Sequence, residues 1–360
     1  MMSTLVKQSL LRVRCTARWN VTRQASSSTA SATAAARLAY EEAINLIQVD
    51  KKERLQMLNR VEKEIARIAK SATPAQLKAL NALKYDLEVK SELNEPEVQR
   101  NFKLRNSKLR TKSNCTVSDC LNETINKNVV DMSKPVYRYM RQKEFEKQPK
   151  AILMQRITQM NVIPDLLNTD MNPTVQVNIK LPEQGTIEPG IFIKSEESVK
   201  LPEIEVVNFH DEPRLYTLMM IDPDSPDVEN KTYQQRCHWL ISNVSLSATS
   251  PIVKEGDIVL DYIPPHPEKG TKYHRYTVIA YEQPNEGKDR VELKVESRNR
   301  MNVKNIADQH GLKPTGVSFF REVWDEHVPT IYKDILKEHE PVYGKPPRVQ
   351  PIIKRAVYYS

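Results

Sequence analysis

Two short segments hold the side chains best suited to chemistry. The first runs Asp222-Pro223-Asp224-Ser225-Pro226 and is followed by Tyr233 and His238; the second is Tyr273-His274-Arg275-Tyr276. As a metal centre, Asp222, Asp224, His238 and His274 would supply the ligand types that suit a divalent ion. No H-x-x-x-H or comparable local pairing supports that set. As a hydrolase, the chain lacks a G-x-S-x-G elbow, and Ser318 lies in Gly316-Val317-Ser318-Phe319 at the end of an expected strand. Its eight glycines form no Walker or dinucleotide-binding pattern. The residues point away from an enzyme, and no metal or cofactor is expected. A purely structural reading also stands, in which Asp222 and the histidines form a buried polar network joining two strand ends.

The elements around these residues read as β from Ile163 onward. Thr174 to Ile179 and Ile204 to Val207 alternate apolar and polar, the period of a half-buried strand. Leu215 to Ile221 and His238 to Val244 are near-continuous apolar stretches suited to buried strands, and Tyr276 to Tyr281 and Val291 to Val295 follow. Prolines occupy the connections, and a late helix is expected around Phe319 to Leu336. Many short strands with few helices predict a mainly β class, a β-sandwich with peripheral helices.

Taken together, the two segments resemble the signatures of the phosphatidylethanolamine-binding-protein (PEBP) family. These are a D-P-D-x-P turn with a downstream histidine, and a P-P-x-G loop ending in H-R-Y. Here the loop is Asp261-Tyr262-Ile263-Pro264-Pro265-His266-Pro267-Glu268-Lys269-Gly270. The flanks Ile163-Pro164-Asp165, Gly316 to Phe320 and Trp324-Asp325 agree, so the similarity covers residues 160–336. It implies a PEBP-like fold with a sheet-edge pocket for an anion such as a phosphate head group, with Asp222, Tyr233, His238, His274 and Tyr276 at the matching positions. Imidazoles and phenols can donate to phosphate oxygens, while a carboxylate fixes a histidine tautomer. The resemblance also implies a cis Ser225–Pro226 bond that aims Asp222 at the histidines. The loop departs from the family pattern: His266 stands where the family has glycine, and Glu268 where it has proline. Pro264 and Pro265 offer no N–H, and a carboxylate at 268 repels an anion. The pocket is therefore expected to be vestigial, with no small-molecule substrate.

Charge divides the chain unevenly. Residues 1–40 carry Lys7, Arg12, Arg14, Arg18, Arg23 and Arg37 and no acid, before a Ser/Thr/Ala tract gives way at Glu41. That is the composition of a mitochondrial transit peptide over residues 1–36, cut between Arg23 and Tyr40. Two further acid-free stretches are basic. Residues 98–118 hold Arg100, Lys103, Arg105, Lys108, Arg110 and Lys112, and residues 341–360 hold Lys345, Arg348, Lys354 and Arg355. The remaining body is mildly acidic. Such arms suit phosphate contact, with the first ordering on binding. Leu55, Leu58, Val61, Ile65 and Ile68 mark one helical stripe; Thr73-Pro74 caps a second carrying Leu77, Leu80, Leu83 and Leu87. Lys134, Arg138, Arg141 and Lys143 lie on a further expected helix. Four scattered cysteines (Cys15, Cys115, Cys120, Cys237) give neither a disulfide framework nor a zinc site. No stretch reaches the about 18 uncharged apolar residues of a membrane span.

These features predict a leader (1–36), a helical and basic extension (37–150), a PEBP-like domain (151–340) and a basic tail (341–360). The arrangement is similar to the ribosomal branch of the family. That implies a structural constituent of the mitochondrial large ribosomal subunit, located in the matrix. Its partners would be large-subunit rRNA and other mitochondrial ribosomal proteins at the central protuberance, with RNA met by the arms rather than the β body. The alternative is a mitochondrial anion- or phospholipid-head-group-binding regulator, or a protease inhibitor, of the same family.

Overall fold

The computed structural model describes residues 29–69, 73–110, 130–295 and 297–344. Two units divide the chain, residues 1–53 and 54–360. Of the first, only the helix residues from Thr29 are described. That helix, α1 (Thr29–Ile68), runs for 40 residues. Most of the expected leader, and Lys112, Lys345, Arg348, Lys354 and Arg355, lie outside the described residues. Among the described residues no helix is long and apolar enough to cross a membrane.

The second unit opens with the end of α1, whose Leu58, Val61 and Ile65 are only half-buried. Helix α2 (Pro74–Glu92) begins as expected at Thr73. The Thr73 hydroxyl accepts from the Gln76 N–H, and the Gln76 side chain accepts from the Thr73 N–H. This reciprocal cap satisfies two of the donors that a helix start leaves open. Helix α3 (Pro96–Arg110) overlaps the basic stretch, so its first part is already helical rather than waiting for a partner. The reason is packing. Val98 and Phe102 bury against Val136 and Tyr137 of α4 (Pro135–Lys147). Arg138 of α4 is buried and donates to the Met132 and Ser133 carbonyls, with Asp211 3.1 Å away. It pins the helices to the β body and is not a free cation for a partner. Phe145 and Phe209, 6.0 Å apart between centroids, add an aromatic contact across the same junction.

The β body has two antiparallel sheets. The small sheet is ordered β2-β1-β3, from β1 (Gln176–Leu181), β2 (Gly185–Thr186) and β3 (Glu203–Val207). The large one is ordered β6-β5-β4-β7-β8, from β4 (Arg214–Asp227), β5 (Thr232–Leu246), β6 (Asp257–Leu260), β7 (His274–Glu282) and β8 (Lys313–Glu322). Both faces of the large sheet are covered. Leu218, Met220, Trp239 and Val278 meet Ile179, Ile204 and Val206 of the small sheet. Met219, Ile221, Leu240 and Ile279 meet helix α5 (Pro149–Gln159) and the segment after it, through Leu153, Ile157, Val162 and Leu166. A strand with two buried faces shows no alternation, which explains the continuous apolar run at Leu215 to Ile221.

The same effect corrects one expectation. Phe319 and Phe320 do not start a helix but close strand β8, one on each face of the sheet. Helical structure comes later, at Val328–Thr330 and Ile331–Leu336. Val291 to Val295 is also not a strand. Val291 and Leu293 turn into the core, but among the described residues the backbone pairing there is Val291 with the Asn243 side chain. Leu218 sits at the centre of the sandwich with no exposure. Leu218→Ala should cost about 2–5 kcal/mol of unfolding free energy, because the rigid surroundings cannot close the cavity. Urea titration checks this, and a loss below about 1 kcal/mol would show that the sheets do not pack as described.

Candidate functional site

The expected site residues depend on an irregularity in β4. Between Asp222 and Ser225 that strand takes one residue more than its partner β5, a β-bulge. The extra residue changes which way side chains face. As a result the two carboxylates of Asp222-Pro223-Asp224 serve different partners. Asp222 Oδ2 lies 2.7 Å from His274 Nδ1, and its Oδ1 accepts from the Asp224 N–H at 2.9 Å. Asp224 instead takes Arg275. The guanidinium donates to both Asp224 oxygens at 2.7 Å, to Asp165 Oδ2 at 2.9 Å and to the Met160 carbonyl at 2.6 Å. The bulge therefore does the aiming expected of a cis Ser225–Pro226 bond. Among the described residues the cis bond is Ile163–Pro164, and Ser225 and Pro226 stay extended, paired with Gln234 and Tyr233.

Asp222, His238, His274 and Tyr276 come together as a buried cluster; Tyr233 does not join them. Tyr233 lies on the exposed end of β5 with 65% of its surface free. Tyr233 lies five residues before His238 on β5, and an odd offset along a strand turns a side chain to the opposite face. His238 Nδ1 faces the Ile263 carbonyl at 3.0 Å, and Nε2 is buried without a hydrogen-bond partner. Its ring lies 5.0 Å from both Tyr276 and His266. The loop residues Pro264, Pro265, His266 and Glu268 are buried. His266 Nδ1 is 2.6 Å from the Pro264 carbonyl, and Glu268 Oε2 is 3.5 Å from His274 Nε2. That last separation is too long for a strong hydrogen bond. Thr271 Oγ1, at 2.9 Å, is the closer partner of Nε2.

The electrostatics follow from burial and these pairings. Burial alone would lower the His274 imidazole, but Asp222, with Glu268 and Asp224, outweighs it and lifts the group to about 9. His274 is therefore a cation at neutral pH. Burial holds His238 well below its ordinary value and His266 down to about 3, with Arg236 and neighbouring imidazoles adding to both. Burial raises Glu268, against the pull of His274. Glu322, register-opposite His274 on β8 and fully buried, is pushed up to about 8 by burial that Ser198 only partly offsets. Sequence reasoning missed Arg275, Thr271 and Glu322 as members of the site. Arg275 had a signal, since it sits in the H-R-Y motif beside two Asp-bearing segments. Glu322, one residue after Arg321 in a strand read as helix, had none.

Chemically, the cluster is one buried cation, two neutral imidazoles and three buried carboxyl groups, those of Asp222, Glu268 and Glu322. His274 carries a charge that an anion could meet, but the Glu268 carboxyl already stands beside it. The Thr271 hydroxyl does meet an imidazole, but His274 is already charged and cannot take its proton; among the described residues no group of histidine, cysteine and carboxylate side chains could hold a metal ion. Ser318 is buried within β8.

Residues 173–320 match the family model described as phosphatidylethanolamine-binding protein. The β body is a PEBP-like domain. The chain is 25% identical over 257 residues to the large ribosomal subunit protein mL38 of Schizosaccharomyces pombe, across 71% of this chain and 76% of that protein. It is 29% identical over 184 residues to the putative odorant-binding protein A5 of Drosophila melanogaster, across 49% and 83%. Among solved structures, a carboxypeptidase Y inhibitor in complex with its cognate proteinase is similar at 18% identity and a TM-score of 0.43, covering 49% of this chain and 97% of that one. The longer of the two sequence matches is to a ribosomal protein by name, in line with a chain that is not an enzyme.

Two outcomes are expected of the PEBP-like domain. The His274 pKa is raised from 6.5 to about 9 on folding, so its stabilisation is complete below pH 6.5 and lost as pH rises through about 9. Glu322, raised from 4.5 to about 8, adds a decline that ends near pH 8. Urea midpoints should fall across this range, and His274→Gln should flatten the part above about pH 8; an unchanged slope would contradict the assigned charge. Phosphoethanolamine, followed by calorimetry, should show no micromolar binding. The double substitution His266→Gly and Glu268→Pro should improve it at least about tenfold, since removing a nearby like charge in a buried site is worth more than about 1.4 kcal/mol. Micromolar binding by the unaltered protein would overturn the reading of a self-filled cluster.

Proposed function

We infer that this chain is a structural constituent of the mitochondrial large ribosomal subunit, with a PEBP-like domain serving as a rigid building block. The observation that carries this is the length of the similarity to the ribosomal protein: 257 residues, against 148 for the matched domain itself. The likeness therefore extends into the helical additions, which a free-standing head-group-binding domain does not need. The geometry supports the same reading, because His274 already faces Glu268 and the helices are pinned to the body by Arg138.

The proposed organisation is a mitochondrial leader over 1–36, a helical and basic extension over 37–150, the PEBP-like domain over 151–340 and a basic tail over 341–360. The protein works in the matrix, at the central protuberance, against large-subunit rRNA and neighbouring ribosomal proteins. Asp222, His238, His274 and Tyr276 are a vestigial anion pocket kept as a structural joint. Rigid body plus basic arms binds folded RNA by shape and phosphate rather than by sequence. Arg100 and Lys103 extend from the first turns of α3, which is fixed to the body by Val98 and Phe102, so their charges are presented in a set place.

Neutralising Arg100, Lys103, Arg105 and Lys108 with glutamine should flatten the slope of log K against log salt for rRNA by about three units. Truncation after Gly344 should do the same, and each change should weaken association with large subunits. Asp222→Asn should leave the slope unchanged. If neither arm alters the slope, the arms are not the RNA anchor.

A further inference from the structure

We propose that the exposed surface formed by Phe192, Tyr273 and Arg321 at the end of β8 is a stacking site for unpaired nucleotides of RNA. It rests on the RNA-binding reading above and adds one contact on the body to those of the arms.

Phe192 is 53% and Tyr273 39% exposed. They stand edge to face, 6.0 Å apart. The Arg321 guanidinium lies 4.0 Å from the Phe192 ring centre and 5.4 Å from that of Tyr273. Its Nε donates to the Gly190 carbonyl at 2.8 Å, which fixes the plane. Beside it, Lys269 Nζ sits 4.4 Å over the Trp324 ring, and Lys272 is exposed next to Tyr273. Among the described residues no carboxylate pairs with Arg321, Lys269 or Lys272. The acids nearby are engaged elsewhere: Asp325 accepts from Ser195, Glu340 from the Trp324 indole, and Glu322 is buried and protonated at neutral pH.

Exposed aromatic rings stand here beside cations that no carboxylate pairs with. A small anion would use the cations and leave the rings wet. An apolar protein surface would cover the rings and strand three charges. A nucleotide satisfies both, since its base presents a π face and its phosphate the anion. The position also fits. Val342 bridges to Lys269, and the Tyr343 N–H donates to the Lys269 carbonyl at 2.8 Å. Gly270 permits that crossing: its φ is +92°, and a Cβ at this position would collide with the Tyr343 carbonyl oxygen, so no other residue fits. The basic tail starts at Lys345, two residues on. The site thus lies at the root of the arm already assigned to RNA.

The test uses the full chain and two probes: a fluorescent oligoadenylate of about twelve nucleotides, a span a single binding surface covers, and inorganic polyphosphate. Phe192→Ala with Tyr273→Ala should weaken oligoadenylate binding at least about fivefold, the loss of one stacked base, and leave polyphosphate binding unchanged. Lys272→Gln should flatten the salt slope by about one unit. This exposed lysine has no structural partner, so the change tests the site even if the aromatic double variant melts early. Unchanged oligoadenylate binding in both variants overturns the proposal. If truncation after Gly344 still abolishes binding in that case, the RNA reading of the arms survives it. Equal losses for both probes would mean charge alone acts, and would also overturn it. So would loss of large-subunit association in the aromatic variant with RNA binding intact, which would mark a protein-docking surface.

Discussion

The buried guanidinium of Arg275 is the interaction on which the domain's arrangement depends. It takes both oxygens of Asp224 on the sheet, Asp165 on the segment that follows α5, and the Met160 carbonyl at the end of that helix. Four acceptors around one head group suit the rigid fork of arginine, and lysine could not reproduce them. A charge so placed is costly to bury unless every donor is satisfied. That requirement ties the helical layer, the β4 bulge and strand β7 to a single geometry. On a strand, neighbouring residues face opposite ways. With Arg275 turned towards the helices, His274 and Tyr276 must face the other side, where Asp222 meets them.

The second consequence concerns what this cluster can still do. His274 is held charged by Asp222, and that charge is the feature an anion would need. In this chain Glu268 stands 3.5 Å from the outer nitrogen and His266 lies against His238, so protein groups occupy the surroundings of the charge. A carboxyl in that position does for the cation what a phosphate would, without a ligand having to bind. The polar network then contributes rigidity and a defined strand geometry, which is what a building block requires.

How much of this was legible in the sequence varied with the physical signal. Motif residues at strand ends were readable because their types and order are unusual, and Asp222, His238, His274 and Tyr276 do converge. Tyr233 does not join them, because five residues before His238 on the same strand it faces the opposite way. Phe319 and Phe320 read as helix because a strand buried on both faces loses its alternation. Residues 98–118 read as a loose arm on charge alone. Two apolar residues, Val98 and Phe102, were enough to fold their first part into α3. Arg138 looked like surface charge and is a buried anchor, a distinction that depends on Asp211, distant in sequence. The Phe192–Tyr273–Arg321 surface could not be read at all, because its members come together only through the fold.

The protein's role turns on where it resides once mature. A rigid PEBP-like body with its own carboxyl beside the binding cation has little use as a free head-group carrier, while its helical and basic additions suit a large RNA-containing partner. Sucrose-gradient sedimentation of the native protein from mitochondrial lysate, under low-salt conditions and followed by immunodetection, is the most direct measurement. Nearly all of it is expected to travel with large ribosomal subunits and to shift to lighter fractions only when high salt or RNase strips the particles. Recovery of most of the protein in the slow, soluble fractions at low salt would contradict that role.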